Sequence, residues 1–209
     1  MDRTSHRDTG LYKLLERPRV HEGLRRLVGG PASRARFVSE FVRPFKGVRV
    51  LDIGCGTGPL LSYLPPTASY VGYDLNPAYI EAARRRYGPR GQFFCARVGD
   101  EPRAVEDGSF DIVVAASMLH HLDDDDAGRL VRSARRALAP GGSFVSIDPA
   151  LHRGQAFVSR LFARLDRGRE VRSPDAYRRV VEPHFSYIED WLLTDLLRIP
   201  YSHCVIRAT

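Results

Sequence analysis

The stretch VLDIGCGTGPLL, Val50 to Leu61, limits the possible folds more than any other part of this chain. A short β-branched and apolar run, Val48 to Ile53, reads as a buried strand. It runs directly into Gly54, Gly56 and Gly58. Without a Cβ, such a backbone can turn with positive φ and let ligand atoms lie against it, so the loop reads as a ligand seat at the carboxyl end of a strand feeding a helix.

Similar runs follow at YVGYD (70–74), QFFCA (92–96), FDIVVAA (110–116) and SFVSID (143–148). Helical segments lie between them. NPAYIEAARRRYG carries Asn76 as N-cap, Pro77 at the first helical position and Gly88 as its stop. DDDDAGRLVRSARRALAPGG is acidic at its front and basic at its back, as the helix dipole favours. Its core face is Leu130, Val131, Ala134 and Leu138. Strands alternating with helices at these spacings predict an α/β fold with a parallel sheet and right-handed crossovers.

The flanks differ. Residues 11–43 read as two or three short helices, with Gly29-Gly30-Pro31 as a break. Residues 151–172 are Arg-rich and amphipathic and read as a helical insertion. Ser173-Pro174 opens a last helix to about Val181, and FSYIEDWLLT and SHCVIRA read as two late strands. The expected organisation is one domain over 1–209: an N-terminal helical lid (1–46), a ligand-binding core (47–150), the insertion (151–172) and the last helix with two strands (173–209).

Composition narrows the class. The 209 residues carry a net charge of +7, which raises a polyanionic partner. Yet Lys13 and Lys46 are the only lysines, and the arginines are spread from end to end, as codon bias writes them; nucleic acid is disfavoured. No apolar run approaches the roughly 20 residues that span a bilayer, and the charged start MDRTSHRDTG is no secretory signal. Three scattered cysteines fit a reducing cytoplasm, with neither a disulfide framework nor a metal site.

The ligand class follows from the spacing. A dinucleotide loop has G-x-G-x-x-G, but the sixth position here is Pro59. No G-x-x-x-x-G-K-[ST] is present either. An alternating D-x-G-x-G-x-G suits a nucleoside without phosphates. LDIGCGTG resembles the first motif of class I S-adenosylmethionine (SAM)-dependent methyltransferases, of the bacterial small-molecule type. DGSFDIVVAASMLHHL is similar to their fourth motif, and LLRIPYSHCVI to a tail of bacterial members. The similarity runs from about Val48 to Asp148.

The resemblance implies a Rossmann-like, doubly wound, mostly parallel seven-stranded sheet with an antiparallel last strand and an N-terminal lid. It implies S-adenosyl-L-methionine as cofactor, seated on Asp52, Gly54, Cys55, Gly56 and Gly58. Asp74, 20 residues after Gly54, would accept from the ribose hydroxyls, and Leu75 would lie against the adenine. The family often has an acid at the end of the third strand; FFCARVGDEP departs from this, so backbone contacts at Arg97 and Val98 are expected, Asp100 being too remote. Ala116 and Ser117 would face the methionine part.

The expected reaction is methyl transfer to O, N or C of a small-molecule acceptor, in secondary or cell-envelope metabolism. A base is needed, and histidine titrates near neutral pH. His121 is favoured over His120, since adjacent side chains point different ways. Asp148 could orient a histidine or take the proton itself. Tyr12, Tyr201 and His203 could reach the pocket, though packing explains each as well. Arg160, Arg164, Arg167 and Arg169 could hold an anion, or form a solvated face. AASM in place of Asn-Pro-Pro-Tyr disfavours amino-group methylases of DNA or glutamine, and no Pro-Cys supports a C5 pyrimidine methylase. The rival readings are a non-catalytic SAM-binding partner protein and an NAD(P)-dependent oxidoreductase.

Overall fold

A computed structural model describes residues 30–157, 159–161 and 170–209. Residues 1–29, with Tyr12 and most of the expected lid, and Arg164, Arg167 and Arg169 lie outside the described residues.

The sheet has seven strands: β1 (Arg49–Ile53), β2 (Ser69–Asp74), β3 (Gln92–Cys95), β4 (Phe110–Ala116), β5 (Leu138–Pro149), β6 (Ile188–Leu193) and β7 (His203–Ala208). Their spatial order is β3-β2-β1-β4-β5-β7-β6. All pairs are parallel except those of β7, which runs antiparallel to both β5 and β6. This is the expected mostly parallel sheet with its antiparallel last strand.

Period-2 alternation divides the strands between two apolar layers. Val50, Ile112, Val114, Val145 and Val205 pack into one layer with Ile80 and Phe93. Leu51, Ile53, Val113, Phe144 and Ile206 pack into the other with Leu130 and Val181. Chain order reverses between β1 and β4, and a parallel sheet opens a crevice at such a switch, outside the strands' carboxyl ends. The glycine loop leaves β1 at this switch point.

The helices form where local signals said they would. Helix α1 (Gly30–Phe37) precedes a π-turn, Val38–Val42. Pro31 lies in the first described turn of α1, where it needs no amide partner. In α2 (Pro77–Tyr87) the Asn76 side chain accepts from the Ala78 amide at 2.9 Å, and Gly88 ends the helix at φ 50°. In α3 (Asp124–Ala137) the Asp123 side chain accepts from the Asp126 amide at 2.8 Å. Leu130, Val131 and Ala134 are fully buried on its inner face, the leucine and valine worth roughly 2 kcal/mol each on burial. Ser173 caps α4 (Pro174–Val181).

Two expectations are corrected. The glycine loop feeds a 3₁₀ turn, Pro59–Tyr63, and not a full helix; Pro65-Pro66 leave no room for a second turn. Of the described residues of the 151–172 segment, 157 and 159–161 are helical, while 151–156 and 170–172 are turn or irregular. Its polar groups bond into loops instead: Gln155 donates to the Ala150 carbonyl and to Ser159.

Candidate active site

Gly54, Gly56 and Gly58 have φ of 72°, 55° and 70°, so all three sit in the left-handed region that L side chains avoid. They are not equivalent. A Cβ on Gly58 would stand 2.7 Å from the Phe93 ring, and one on Gly54 would stand 2.6 Å from Met118 Sδ. A Cβ on Gly56 would meet nothing within 4 Å. At two positions the protein's own side chains press on the bare backbone, and at Gly56 the backbone faces open space.

The loop amides are used internally. Gly54 and Cys55 both donate to the Tyr73 carbonyl, Gly58 donates to the Cys55 carbonyl, and Gly56 donates to Asp74 Oδ2 at 2.9 Å. Anion-binding nests present such groups outward; this loop presents apolar backbone faces, which suits a ligand portion without phosphate. Cys55 contributes main chain only, because its buried side chain packs under Gly72. Burial pushes its thiol far up, out of the reactive range.

Asp74 closes β2 beside the loop. Its Oδ2 takes the Gly56 amide and its Oδ1 the Asn76 amide at 2.8 Å. Leu75, next along, is 58% exposed, an apolar face beside a carboxylate. The end of β3 lies alongside: Cys95 pairs with Asp74 and the Ala96 amide donates to the Asp74 carbonyl. Arg97 and Asp100 are exposed and joined by a turn, while Val98 is half-buried in the core.

Beneath the loop, Asp52 is buried and accepts from Tyr70 Oη at 2.7 Å. Burial pushes its carboxyl up to about 7; the Tyr70 bond and Arg34 pull it down, and the Asp74 charge adds to the rise. Tyr70 carried no signal in the sequence beyond being apolar enough for a strand.

At the carboxyl end of β4, Ala116 is half-buried and Ser117 is exposed. Ser117 has φ 57° and its amide donates to the Ile147 carbonyl at 2.7 Å, which fixes a left-handed bend in a residue that disfavours it. The bend delivers a 3₁₀ turn, Leu119–His121. There His120 Nδ1 lies 2.7 Å from Asp148 Oδ1, both side chains being almost completely buried, and the His120 amide donates to the same oxygen at 3.2 Å. His121 is half-buried, and its ring packs against that of His120 with centroids 4.1 Å apart and planes tilted by 37°. The expectation that neighbouring side chains diverge holds for a strand but fails in this tight turn: the two rings share one side. The structure thus brings His120, His121 and Asp148 together.

His203 is buried at the start of β7, paired with Pro149 next to Asp148, and its ring meets Tyr201 edge-on at 5.0 Å. Arg160 is exposed. Among the described residues, no group of histidine, cysteine and carboxylate side chains is arranged to hold a metal ion. The residues at the switch point fit a nucleoside carrying an amino-acid chain: open backbone at Gly56, the Asp74 carboxylate, the Leu75 face and the bend at Ser117.

Comparison with known proteins agrees with this geometry. Residues 50–142 match a family model described as a methyltransferase domain. Ubiquinone biosynthesis O-methyltransferase of Xanthomonas oryzae pv. oryzae (strain PXO99A) is 33% identical over 133 residues, 56% of this chain and 53% of its own length. Phthiotriol/phenolphthiotriol dimycocerosates methyltransferase 1 of Mycobacterium ulcerans is 38% identical over 105 residues, 49% of this chain and 38% of its own. A human thiol S-methyltransferase is 30% identical over 111 residues, 51% of this chain and 45% of its own. The matched stretch thus spans about half or less of these relatives' length. Among solved structures, YcgJ of Bacillus subtilis superposes with a TM-score of 0.67 at 18% identity, covering 85% of this chain and 97% of that one. Human N-acetylserotonin methyltransferase, in complex with SAM, gives 0.68 at 16% identity, covering 91% of this chain and 54% of its own. At such identities these likenesses establish the fold.

Proposed function

We propose, from the premise that residues 50–142 form a class I S-adenosylmethionine-dependent methyltransferase domain, that this protein methylates a hydroxyl oxygen of a small organic acceptor. The observation that carries the reading is the buried His120–Asp148 pair, 2.7 Å apart, at the carboxyl ends of β4 and β5. Bound S-adenosylmethionine supplies an activated methyl group and a neutral thioether leaving group.

This chain's residues hold that cofactor and manage the acceptor's proton. The backbone of Gly54, Cys55, Gly56 and Gly58, with Ala116 and Ser117, seats the amino-acid portion, above the buried Asp52. Asp74 accepts from the ribose, Leu75 covers the adenine face, and the main chain at Arg97 and Val98 borders its edge. A hydroxyl must lose its proton as it gains a methyl group, and a positioned base speeds that step. Asp148 Oδ1 accepts from His120 Nδ1–H, which fixes the tautomer and orientation of the inner ring. His121, packed against it and nearer the solvent, takes the acceptor's proton. The names of the O-methylating relatives support oxygen as the atom methylated.

The test is methyl transfer from isotope-labelled SAM to a panel of phenols, alcohols, amines and thiols from secondary and cell-envelope metabolism. Labelled methyl on a hydroxyl, with Asp148→Asn losing turnover and keeping affinity for S-adenosylhomocysteine, is the expected result. Cofactor binding with no transfer to any class favours a non-catalytic SAM-binding partner. Thermal stabilisation by NAD(P)H and none by S-adenosylhomocysteine refutes the methyltransferase reading.

A further inference from the structure

The His120–Asp148 pair joins two elements that are distant in the chain and meet through few bonds of their own. His120 sits in a three-residue 3₁₀ turn and Asp148 at the end of β5, 28 residues away. The Leu122 amide closes the turn on the Leu119 carbonyl at 3.2 Å, and Arg172 adds further donors at both of its edges. Its side chain is 8% exposed, yet all five of its N–H donors are engaged. Nη1 donates to the Leu119 carbonyl at 2.8 Å and to the Glu170 carbonyl at 3.2 Å. Nη2 donates to the Leu122 carbonyl at 2.8 Å and to Asp124 Oδ1 at 2.8 Å, and Nε donates to that carboxylate at 3.0 Å. Leu119 and Leu122 bracket the histidine turn.

The main chain of the same segment reaches the other partner. The Leu151 amide donates to the Arg172 carbonyl at 3.0 Å. The Arg172 amide donates to Tyr177 Oη at 3.3 Å, and that hydroxyl donates to the Pro149 carbonyl at 2.9 Å, one residue past Asp148. The Glu170 amide donates to the His120 carbonyl itself at 3.1 Å. One residue thus grips the turn by its side chain and the end of β5 by its backbone.

We infer that Arg172 is the positioning residue of the site, holding the His120 turn in register with Asp148 so that the ring and carboxylate meet. It touches no reacting atom. A planar guanidinium can fork to three carbonyls and a carboxylate at once, whereas the point charge of a lysine cannot. The role rests on the reading of the pair as part of a methyl-transfer site.

The test reads the ring directly. In protein labelled with ¹⁵N-histidine, long-range ¹H–¹⁵N spectra report the His120 tautomer and the solvent exchange of its Nδ1 proton; Asp148→Asn assigns the signal. Arg172→Ala and Arg172→Lys are compared with Arg178→Ala, whose guanidinium bonds Glu182, Asp190 and the Ile188 carbonyl, away from the turn. Both Arg172 variants are expected to speed exchange of that proton by about tenfold or more, with Arg178→Ala near wild type. If Arg172→Ala does not fold, Arg172→Lys decides. Folded Arg172→Lys with wild-type tautomer and exchange overturns the role. Calorimetry with S-adenosylhomocysteine separates the two claims: no binding by wild type removes the proposed function, whereas wild-type binding beside an unchanged Nδ1 signal in Arg172→Lys removes the role of Arg172 alone.

Discussion

Replacing Gly56 and Gly58 separately by alanine tests whether the glycine loop is a seat for a ligand or a packing device. Both residues have positive φ, 55° and 70°, and an L side chain there costs about 1–2 kcal/mol. At Gly56 that is the whole cost, since the new methyl meets nothing within 4 Å. At Gly58 the methyl would stand 2.7 Å from the Phe93 ring, whose other neighbours are Tyr70 and Tyr87. Overpacking of this kind adds about 1–3 kcal/mol, which brings Gly58→Ala to roughly 2–5 kcal/mol. For a chain of this size each kcal/mol moves the melting temperature by about 2–4 °C, so Gly58→Ala melts well below Gly56→Ala. Binding runs the other way. The Gly56 methyl occupies the open face, and affinity for S-adenosylhomocysteine falls by at least about tenfold, or 1.4 kcal/mol. Thermal melts and calorimetry on both variants check this. Equal melting losses refute the packing argument; wild-type affinity in Gly56→Ala refutes the assignment of that face to the cofactor.

Asp52 titrates at about 7 when folded, against about 3.9 unfolded, so the folded protein keeps a proton that the unfolded chain has released. That stability is complete below about pH 4 and is lost as pH rises through 7; Asp52→Asn gains on wild type between pH 5 and pH 8, by about 2.6 kcal/mol at most, as denaturant melts at the two pH values would show. Leu130→Ala empties a fully buried site on α3 and costs about 2–5 kcal/mol in urea unfolding. His121→Ala lowers turnover by about 10²-fold or more with cofactor affinity nearly intact; undiminished turnover would remove His121 as the base.

Local signals carried most of the fold. The Asn76 cap with Pro77, the acidic start of α3 and the β-branched runs each act within a few residues, so the sequence alone locates them. The Pro59–Tyr63 turn was harder, because a glycine loop announces a helix and only the two following prolines cut it short. In the site, Asp74 was legible because spacing along one βα unit sets it. The His120–Asp148 contact could be suspected but not its form, since it depends on β4 and β5 being neighbours. Arg172 was not legible at all: its side-chain partners at Leu119, Leu122 and Asp124 lie about 50 residues away, and nothing in an Arg-rich stretch marks Arg172 as buried.

The amide hydrogens of Gly54, Cys55, Gly56 and Gly58 are satisfied within the protein, so the loop is ordered by folding and not by its guest. The entropy of arranging it is lost once per chain, rather than at every encounter. Such a rigid saddle discriminates by contour and apolar fit. It should admit product and substrate forms of one nucleoside with similar ease, making demethylated cofactor a natural competitor.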